Sequence, residues 1–293
     1  MSRPIGSSPG TVTARGSGVI VCLVAAALTA VTSLAGAAPA SSETTGADLA
    51  KLKAVVNGEQ RSPENKARDK YRHPVETLAF FGIHPNMTVV ELWPFGGWYT
   101  QIIAPYLKGS GTYYAAAQDP TSNKSEDKKY NAELKEMLDA RPDLYREVKW
   151  SVLANGKYNF APDGSADMVV TFRNIHNWVW SGMEKDVFAA AFRALKPGGI
   201  LGVEEHRSNN PQEKPARGQA YTGEDYAIGL IESVGFKLVA RSNINNNPKD
   251  TKDYPQGVWT LPPSYAEGDK DHAKYAAIGE SDRFTLKFVK PAQ

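Results

Sequence analysis

Short apolar runs alternate with longer amphipathic segments from about residue 63 onward. Runs rich in Val, Tyr and Phe that end at turn residues predict strands, and apolar residues spaced three and four apart predict helices. Seven strands are predicted, at residues 87–92, 111–117, 147–153, 166–172, 198–206, 236–244 and 283–289. Five helices are predicted, at residues 73–83, 97–107, 131–138, 183–195 and 223–234.

Apolar strands that alternate with helices form a mostly parallel sheet with helices on both faces. The last strand follows its predecessor without a clear crossover helix, which favours an antiparallel pair at the sheet edge. We therefore predict a single α/β domain with a seven-stranded, mostly parallel sheet and an antiparallel edge strand. The long polar segment 244–281 is either a lid or part of the scaffold, and Tyr254 and Trp259 are its candidates for covering a pocket.

The first 40 residues have a different pattern. Arg3 and Arg15 precede an apolar run from Val19 to Val31, and small residues follow up to Ala40. This pattern is typical of an export signal, with cleavage after Ala37 or Ala40. The run is shorter than the roughly 20 apolar residues of a spanning helix, so no stable membrane anchor is expected after signal removal. We expect the protein in the periplasm or outside the cell.

The remaining chain divides into residues 41–62, a linker or an N-terminal helix, and the domain at 63–293. The chain's one cysteine, Cys22, lies inside the signal. Its removal excludes disulfides, thiolate chemistry and cysteine-based zinc sites from the mature protein. The signal also holds two of the 34 basic residues and none of the 32 acidic ones. The mature chain is therefore neutral overall, so its charge does not indicate a nucleic-acid partner. The expected partner is a small-molecule substrate.

Three segments follow predicted strands and carry polar or glycine residues: VVELWPFGGWYT at 89–100, DMVVTFRNIHNW at 167–178 and LKPGGILGVEEHR at 195–207. Ligands of open α/β sheets bind beyond the carboxyl ends of the strands, near the point where the strand order reverses. These segments, together with residues 115–120, are therefore expected to surround one site.

In order and spacing, the three segments resemble class I S-adenosylmethionine-dependent methyltransferases with a Rossmann-like fold. They are most similar to an exported bacterial subgroup, in which the turn is typically Glu-Leu-Trp-Pro-Gly-Gly-Gly-Trp-Tyr-Thr. NNNPKDTKDYPQGVWTLPP and GESDRFTLKFVKP near the carboxyl end also match that subgroup. The resemblance spans roughly residues 63–291. It implies S-adenosylmethionine as cofactor and methyl transfer to a small or medium substrate.

The resemblance assigns the turn after the first strand to the cofactor. Glu91 matches an acid that helps to fix the cofactor's amino-acid end, directly or through the turn. Trp93, Phe95 and Gly97 match three glycines, and Gly96 lies between the last two. Glycine suits such a turn because it allows positive φ and a close backbone approach. A packed corner without a ligand is the alternative interpretation.

Further cofactor residues are implied at three places. Relatives have an acid for the ribose hydroxyls where this chain has Ala117, and the nearest candidates are Gln118 and Asp119. Asp119 could instead begin a turn with the proline that follows. Arg72, before the first helix, is a candidate for the cofactor carboxylate. Tyr99, after the glycine turn, is a candidate for the pocket wall, although aromatic residues there are often core.

The RNIHNW segment supplies the candidate catalytic residues Asn174 and His176, since an imidazole titrates near neutral pH. A histidine that only bonds backbone is the alternative. The candidate substrate-binding residues are Asn177, Trp178, His206 and Arg207. Either glutamate at 204–205 could join the two histidines around a metal. No metal is predicted, because the helical His-x-x-x-His spacing is missing.

Two functions of different class remain open. The first is methyl transfer, which needs alignment more than acid–base chemistry. The second is a non-catalytic exported module that binds a small molecule or a protein, favoured by the lost glycines and by the cytoplasmic origin of the cofactor. No Gly-x-Ser-x-Gly hydrolase motif follows a predicted strand, and no Walker-type Gly-Lys-Ser/Thr loop is present. The sequence leaves the oligomeric state open.

Overall fold

The structure, a computed structural model, describes residue 44 and residues 46–292. The predicted export signal at 1–40 lies outside the described residues. The strands are β1 (Thr88–Leu92), β2 (Thr112–Ala117), β3 (Lys149–Val152), β4 (Ala166–Phe172), β5 (Leu195–His206), β6 (Lys237–Ser242) and β7 (Arg283–Val289).

The helices begin with four that precede the sheet: α1 (Gly46–Val56), α2 (Pro63–Ala67), α3 (Asp69–Arg72) and α4 (Pro74–Phe81). The later helices are α5 (Thr100–Leu107), α6 (Ser125–Ala140), α7 (Pro142–Tyr145), α8 (Ile175–Ser181), α9 (Glu184–Ala194), α10 (Glu224–Glu232) and α11 (His272–Ile278), with a 3₁₀ turn at Gly257–Thr260. None of the described helices has the length and apolar character needed to cross a membrane.

The strands form one seven-stranded sheet in the order β3-β2-β1-β4-β5-β7-β6. β3, β2, β1, β4 and β5 run parallel, and β7 is antiparallel to both β5 and β6. The predicted mostly parallel sheet with an antiparallel pair at its edge is confirmed, and β6 is the outer strand of that pair. The strand order reverses between β1 and β4, so a crevice is expected at their carboxyl ends.

Alternate residues of each strand face two different apolar layers. In β1, Val90 and Leu92 pack against α8, α9 and α10, whereas Val89 packs on the other side against α4 and α5. The helix α1 joins this second layer through Leu52, which is fully buried. Residues Gly46–Val56 therefore form a helix that packs on the sheet's second apolar layer.

Two helices near the sheet were poorly predicted. The helix predicted at 131–138 extends over Ser125–Ala140, and its only buried residue is Leu134. An exposed helix has no apolar stripe, so its ends leave little signal in the sequence. α8 was not predicted at all, since RNIHNW looked like the exit of a strand rather than the start of a helix.

The segment 244–281 is part of the scaffold. Asn245 donates from Nδ2 to Thr77 Oγ1 at 3.0 Å and to Thr285 Oγ1 at 2.9 Å, which ties the segment to α4 and β7. Tyr254 and Leu261 are buried in a third apolar cluster beneath the segment. Its 3₁₀ turn therefore forms a fixed wall beside the carboxyl ends of the strands.

Candidate functional site

A cavity of about 490 Å³ lies at the carboxyl ends of the parallel strands. Phe95 after β1, Gln118 after β2 and Arg173 after β4 line it, as do His206 at the end of β5 and Trp259 from the 3₁₀ turn. The position is the one expected for a ligand of an open α/β sheet. Its volume is within the range of small-molecule sites.

The turn after β1 keeps a glycine-type backbone without the glycines. φ is +49° at Trp93, +51° at Phe95 and +82° at Gly97, so all three positions that match glycines are left-handed. A side chain in this conformation costs about 1–2 kcal/mol at each of the two aromatic positions. Backbone strain of this kind is concentrated at functional sites.

The two aromatic side chains of the turn form one wall of the cavity. The Trp93 indole donates to the carbonyl of Leu153 at 2.7 Å, and the Phe95 ring lies 4.6 Å from that of Tyr130. Gly97 faces away from the cavity, and a Cβ there would come within 2.5 Å of Met137 Cε on α6. The positive φ, together with this close approach to α6, therefore favours glycine at position 97.

Glu91 supports this turn from behind rather than lining the cavity. It is buried, and its Oε2 accepts hydrogen bonds from Thr100 Oγ1 at 3.1 Å and from the Tyr113 hydroxyl. Burial raises the pKa of Glu91 to about 7, although both hydrogen bonds act to lower it. The carboxyl group connects β1, β2 and the start of α5, so any effect on a ligand passes through the turn.

The end of β2 presents an amide to the cavity. Gln118 lines the cavity with its side chain 3% exposed, and neither its Oε1 nor its Nε2 has a partner among the described residues. A buried amide without partners costs about 1–3 kcal/mol. Asp119 instead pairs with Lys157 at 2.6 Å, and that hydrogen bond is the main cause that lowers the Asp119 pKa to about 2. Gln118, rather than Asp119, therefore faces the cavity.

Asn174 at the exit of β4 holds the backbone together. Its Nδ2 donates to the carbonyl of Leu92 at 2.9 Å and to Thr171 Oγ1 at 3.2 Å, and the residue does not line the cavity. Trp178 is likewise in the core, fully buried behind Trp93. Asn177, between them on α8, does line the cavity.

His176 is oriented by a buried carboxylate. Its Nδ1 lies 3.1 Å from Oε1 of Glu205, which is fully buried and also accepts from the backbone N–H groups of Ile175 at 2.6 Å and His206 at 2.8 Å. A carboxylate only accepts, so this contact assigns the proton to Nδ1 and leaves Nε2 as an acceptor. His176 lines the cavity, and the pair has the arrangement of an oriented general base.

His206 lies beside this pair. Its Nδ1 is 2.6 Å from Ser281 Oγ, and its ring centroid is 5.4 Å from that of His176. Burial, the neighbouring His176 and nearby arginines lower the His206 pKa well below its ordinary value. The ligand-type atoms of His176, Glu205 and His206 lie within 4.8 Å of one another. However, N–H donors already occupy both oxygens of Glu205, and nearby guanidinium groups oppose a cation.

A network of arginines and glutamates forms the floor of the cavity. Glu280 accepts from Arg68 Nε at 2.6 Å, from Arg72 Nε at 3.0 Å and from Arg283. Glu204 accepts from Arg173 Nη1 at 2.8 Å and from Arg283 Nη1 at 3.3 Å. All four arginines line the cavity.

Two predicted residues belong to the surroundings of this network. Tyr99 stacks on Phe172 with ring centroids 3.5 Å apart and donates to Glu204 at 3.2 Å, but it does not line the cavity. Arg207 pairs with Glu224 at 3.5 Å, also outside the lining.

Comparison with known proteins identifies the architecture. No protein-family model and no curated protein matches the chain. A SAM-dependent methyltransferase from Aquifex aeolicus is similar in structure, with a TM-score of 0.53 at 15% identity over 83% of this chain and 98% of that one. The fold is that of the S-adenosylmethionine-dependent methyltransferases.

Two further solved structures share this methyltransferase fold. The [4+2]-cyclase SpnF has a TM-score of 0.52 at 16% identity, over 84% of this chain and 94% of its own. Phosphoethanolamine N-methyltransferase 2 of Haemonchus contortus, in complex with S-adenosyl-L-methionine, has a TM-score of 0.51 at 14% identity, over 83% of this chain and 57% of its own. At such identities the likeness shows the fold alone.

The structure divides the predicted site residues of this methyltransferase-like fold into two groups. Those that line the cavity are Arg72, Trp93, Phe95, His176, Asn177 and His206. Those that lie outside its lining are Glu91, Gly96, Gly97, Tyr99, Asp119, Asn174, Trp178 and Arg207. The sequence does not predict roles for Arg68, Arg173 or Arg283, although Arg173 is the first residue of the RNIHNW segment.

Proposed function

We propose that the protein binds S-adenosylmethionine in this cavity and transfers its methyl group to a small or medium acceptor. The observation that carries the proposal is Gln118, a buried amide with no partner among the described residues, at the end of β2. The resemblance of the sequence places ribose hydroxyls at this strand end. The methyltransferase fold and the left-handed turn after β1 support the same ligand.

The donor set of the cavity fits this cofactor. Gln118 can both accept from and donate to hydroxyl groups. Arg72 and Arg68 carry the charge that a carboxylate needs. Trp93 offers aromatic surface to a flat base. When bound, S-adenosylmethionine supplies a methyl group already activated by the sulfonium charge.

The protein's own contribution is alignment and proton transfer. His176 lines the cavity, and Glu205 holds its Nδ1 proton at 3.1 Å, so Nε2 is available to accept the proton of a hydroxyl, thiol or ammonium acceptor. Glu205 acts as a positioning residue. The 3₁₀ turn adds the Trp259 ring to the wall of the cavity.

Calorimetric titration of residues 41–293 with S-adenosylmethionine and S-adenosylhomocysteine tests the proposal. Both ligands are expected to bind, and Gln118→Ala is expected to weaken both. If neither ligand gives heat at millimolar concentration, the proposal is wrong.

A non-catalytic binding module is the second candidate. It is favoured by the side chains of Trp93 and Phe95, which occupy space that glycines would leave open. This candidate predicts binding of a small molecule or protein without any methyl transfer. A radiolabelled methyl donor incubated with pooled acceptors would distinguish the two.

We also propose that the protein is exported to the periplasm or beyond the cell. The support is the basic start and the apolar run of the first 40 residues. Amino-terminal sequencing of protein recovered outside the cytoplasm is expected to begin at Ala38 or Ser41. An intact Met1 in that fraction would contradict cleavage.

A further inference from the structure

The floor of the cavity holds more guanidinium groups than carboxylates. Four arginines, 68, 72, 173 and 283, share the two acceptors Glu204 and Glu280. The third buried acid nearby, Glu205, is used by His176 and by backbone N–H groups. Buried charge that lacks a counter-charge is costly, so the network favours a negatively charged ligand.

Several guanidinium nitrogens on the cavity lining have no hydrogen-bond partner among the described residues. Arg68 and Arg72 each donate through Nε alone, and Arg173 donates its side chain through Nη1 alone. Both Nη atoms of Arg68 and Arg72, and Nε and Nη2 of Arg173, therefore remain available. Paired N–H groups of this kind match carboxylate and phosphate oxygens.

The burial of Arg72 and the backbone conformation of Arg173 also indicate an anion site. Arg72 is 5% exposed, and its pKa is lowered to about 9 by burial and next by the positive charge of Arg173. Arg173 also has a φ of +62°, which strains a residue with a side chain. An anion between the two would offset their repulsion.

We infer that the cavity binds its acceptor through an anionic group of the carboxylate or phosphate class, held by Arg173 beside His176 and His206. That the bound anion is the methyl acceptor rests on the proposed function. The existence of an anion site does not depend on that function. The carboxylate of the cofactor is a second source of the same chemistry. One carboxylate has about four acceptor positions, fewer than the free N–H groups of three arginines supply, so two anionic groups fit.

Thermal unfolding of residues 41–293 with inorganic phosphate or succinate, at ionic strength held constant with NaCl, tests the inference. Both anions are expected to raise the melting temperature, and Arg173→Gln is expected to remove at least half of the shift. Arg193→Gln is the matched control, because Arg193 is half exposed and lies outside the cavity. Equal shifts in both variants, or no shift beyond the NaCl reference, would overturn the inference.

Two additions identify the source of the anion. Phosphate is still expected to bind when S-adenosylhomocysteine is saturating, because the phosphate site belongs to the acceptor. Complete competition between the two would assign the arginines to the cofactor carboxylate and would overturn the inference. Zn²⁺ alone is expected to give no stabilisation, and stabilisation by Zn²⁺ but not by phosphate would overturn it in favour of a cation site. Phosphate binding without any binding of S-adenosylmethionine would leave the anion site standing and remove the proposed function.

Arg173→Lys guards against a folding defect. It keeps the charge beside Glu204 but loses the fork of donors. It is expected to fold and to bind phosphate with intermediate affinity. Glu204 retains Arg283 and Tyr99 as partners in either variant. If Arg173→Gln does not fold, the single variants Arg173→Lys and Arg68→Gln replace it. Phosphate binding as strong in both variants as in the unmodified protein would contradict the assignment of the anion site to these arginines.

Discussion

At the scale of single residues, Glu91 makes the stability of the fold depend on pH. Its pKa is raised to about 7 in the folded protein, mainly by burial, against an ordinary value near 4.3 in an unfolded chain. Between these values the folded state binds more protons, so the free energy of unfolding falls as pH rises. The full effect is about 4 kcal/mol.

Glu91→Gln is expected to remove this part of the pH dependence. Urea unfolding at pH 5 and pH 8 would measure it, and the variant should be the more stable protein at pH 8. Glu136→Gln, at an exposed position on α6, serves as the control and should follow the unmodified protein. An unchanged pH dependence in Glu91→Gln would contradict the assignment.

Gln118 is expected to lower the stability of the fold and to strengthen the binding of S-adenosylmethionine. Gln118→Met keeps the length of the side chain and removes two buried polar atoms that have no partner among the described residues. The free energy of unfolding should rise by about 1 kcal/mol, while S-adenosylmethionine should bind about tenfold more weakly. Gln101→Met is the matched control. Gln101 Oε1 accepts from Asn65 at 3.1 Å, so its loss should destabilise the fold and leave binding unchanged.

Phe95 tests whether the turn is a narrowed cofactor cradle. Phe95→Gly removes a ring from the cavity wall and suits the positive φ, so binding of S-adenosylmethionine is expected to tighten about fivefold, or about 1 kcal/mol. Calorimetry would measure the change, with Val239→Gly, exposed on β6, as the reference. Unchanged binding would indicate a remodelled turn that does not use glycines at these positions, and weaker binding would mean that the ring itself contacts the ligand.

The sequence predicts the location of the site better than the role of each side chain in it. Glu91 and Asn174 stand at strand ends, yet one faces α5 and the other holds the backbone of β1. Local pattern does not decide between facing a cavity and facing a helix. Arg72, Arg173 and Arg283 lie together in the fold although they span more than 200 positions of the sequence. No local spacing in the sequence indicates that they are close.

At the scale of elements, hydrophobic patterning predicts all seven strands of the described residues. β1, β4 and β7 are largely buried, so their apolar runs are strong, whereas β3 and β6 at the two edges of the sheet contain no buried residue. The predicted strand at 198–206 begins earlier, at Leu195, and pairs with Ala166 through an irregular register. The Lys-Pro-Gly-Gly residues there look like a turn in sequence, yet the backbone continues as a strand. Pairing with neighbours therefore fixes strand ends that composition alone does not.

The segment 244–281 is expected to behave as part of the domain and not as a mobile lid. Asn245 is 2% exposed and bonds both Thr77 and Thr285, so Asn245→Ala should cost about 2 kcal/mol in the free energy of unfolding. The neighbouring Asn246 is exposed, and Asn246→Ala should change stability little. Urea midpoints would compare the two. Equal stability of both variants would indicate a segment that opens independently.

At the scale of the whole molecule, the proposed export would remove the protein from the compartment in which its proposed cofactor is made. S-adenosylmethionine is made in the cytoplasm, and the occupancy of a site follows the free concentration of its ligand. Residues 41–293 expressed in the cytoplasm should therefore be purified with bound S-adenosylmethionine or S-adenosylhomocysteine, whereas the exported protein should carry far less. Mass spectrometry of denatured samples would quantify both. Cytoplasmic Gln118→Met, as control, should carry less than the unmodified protein. Equal amounts of bound cofactor in the cytoplasmic and exported proteins would contradict the argument from concentration. If neither protein carries cofactor and the calorimetric titration gives no heat, the anion site is the remaining basis for function.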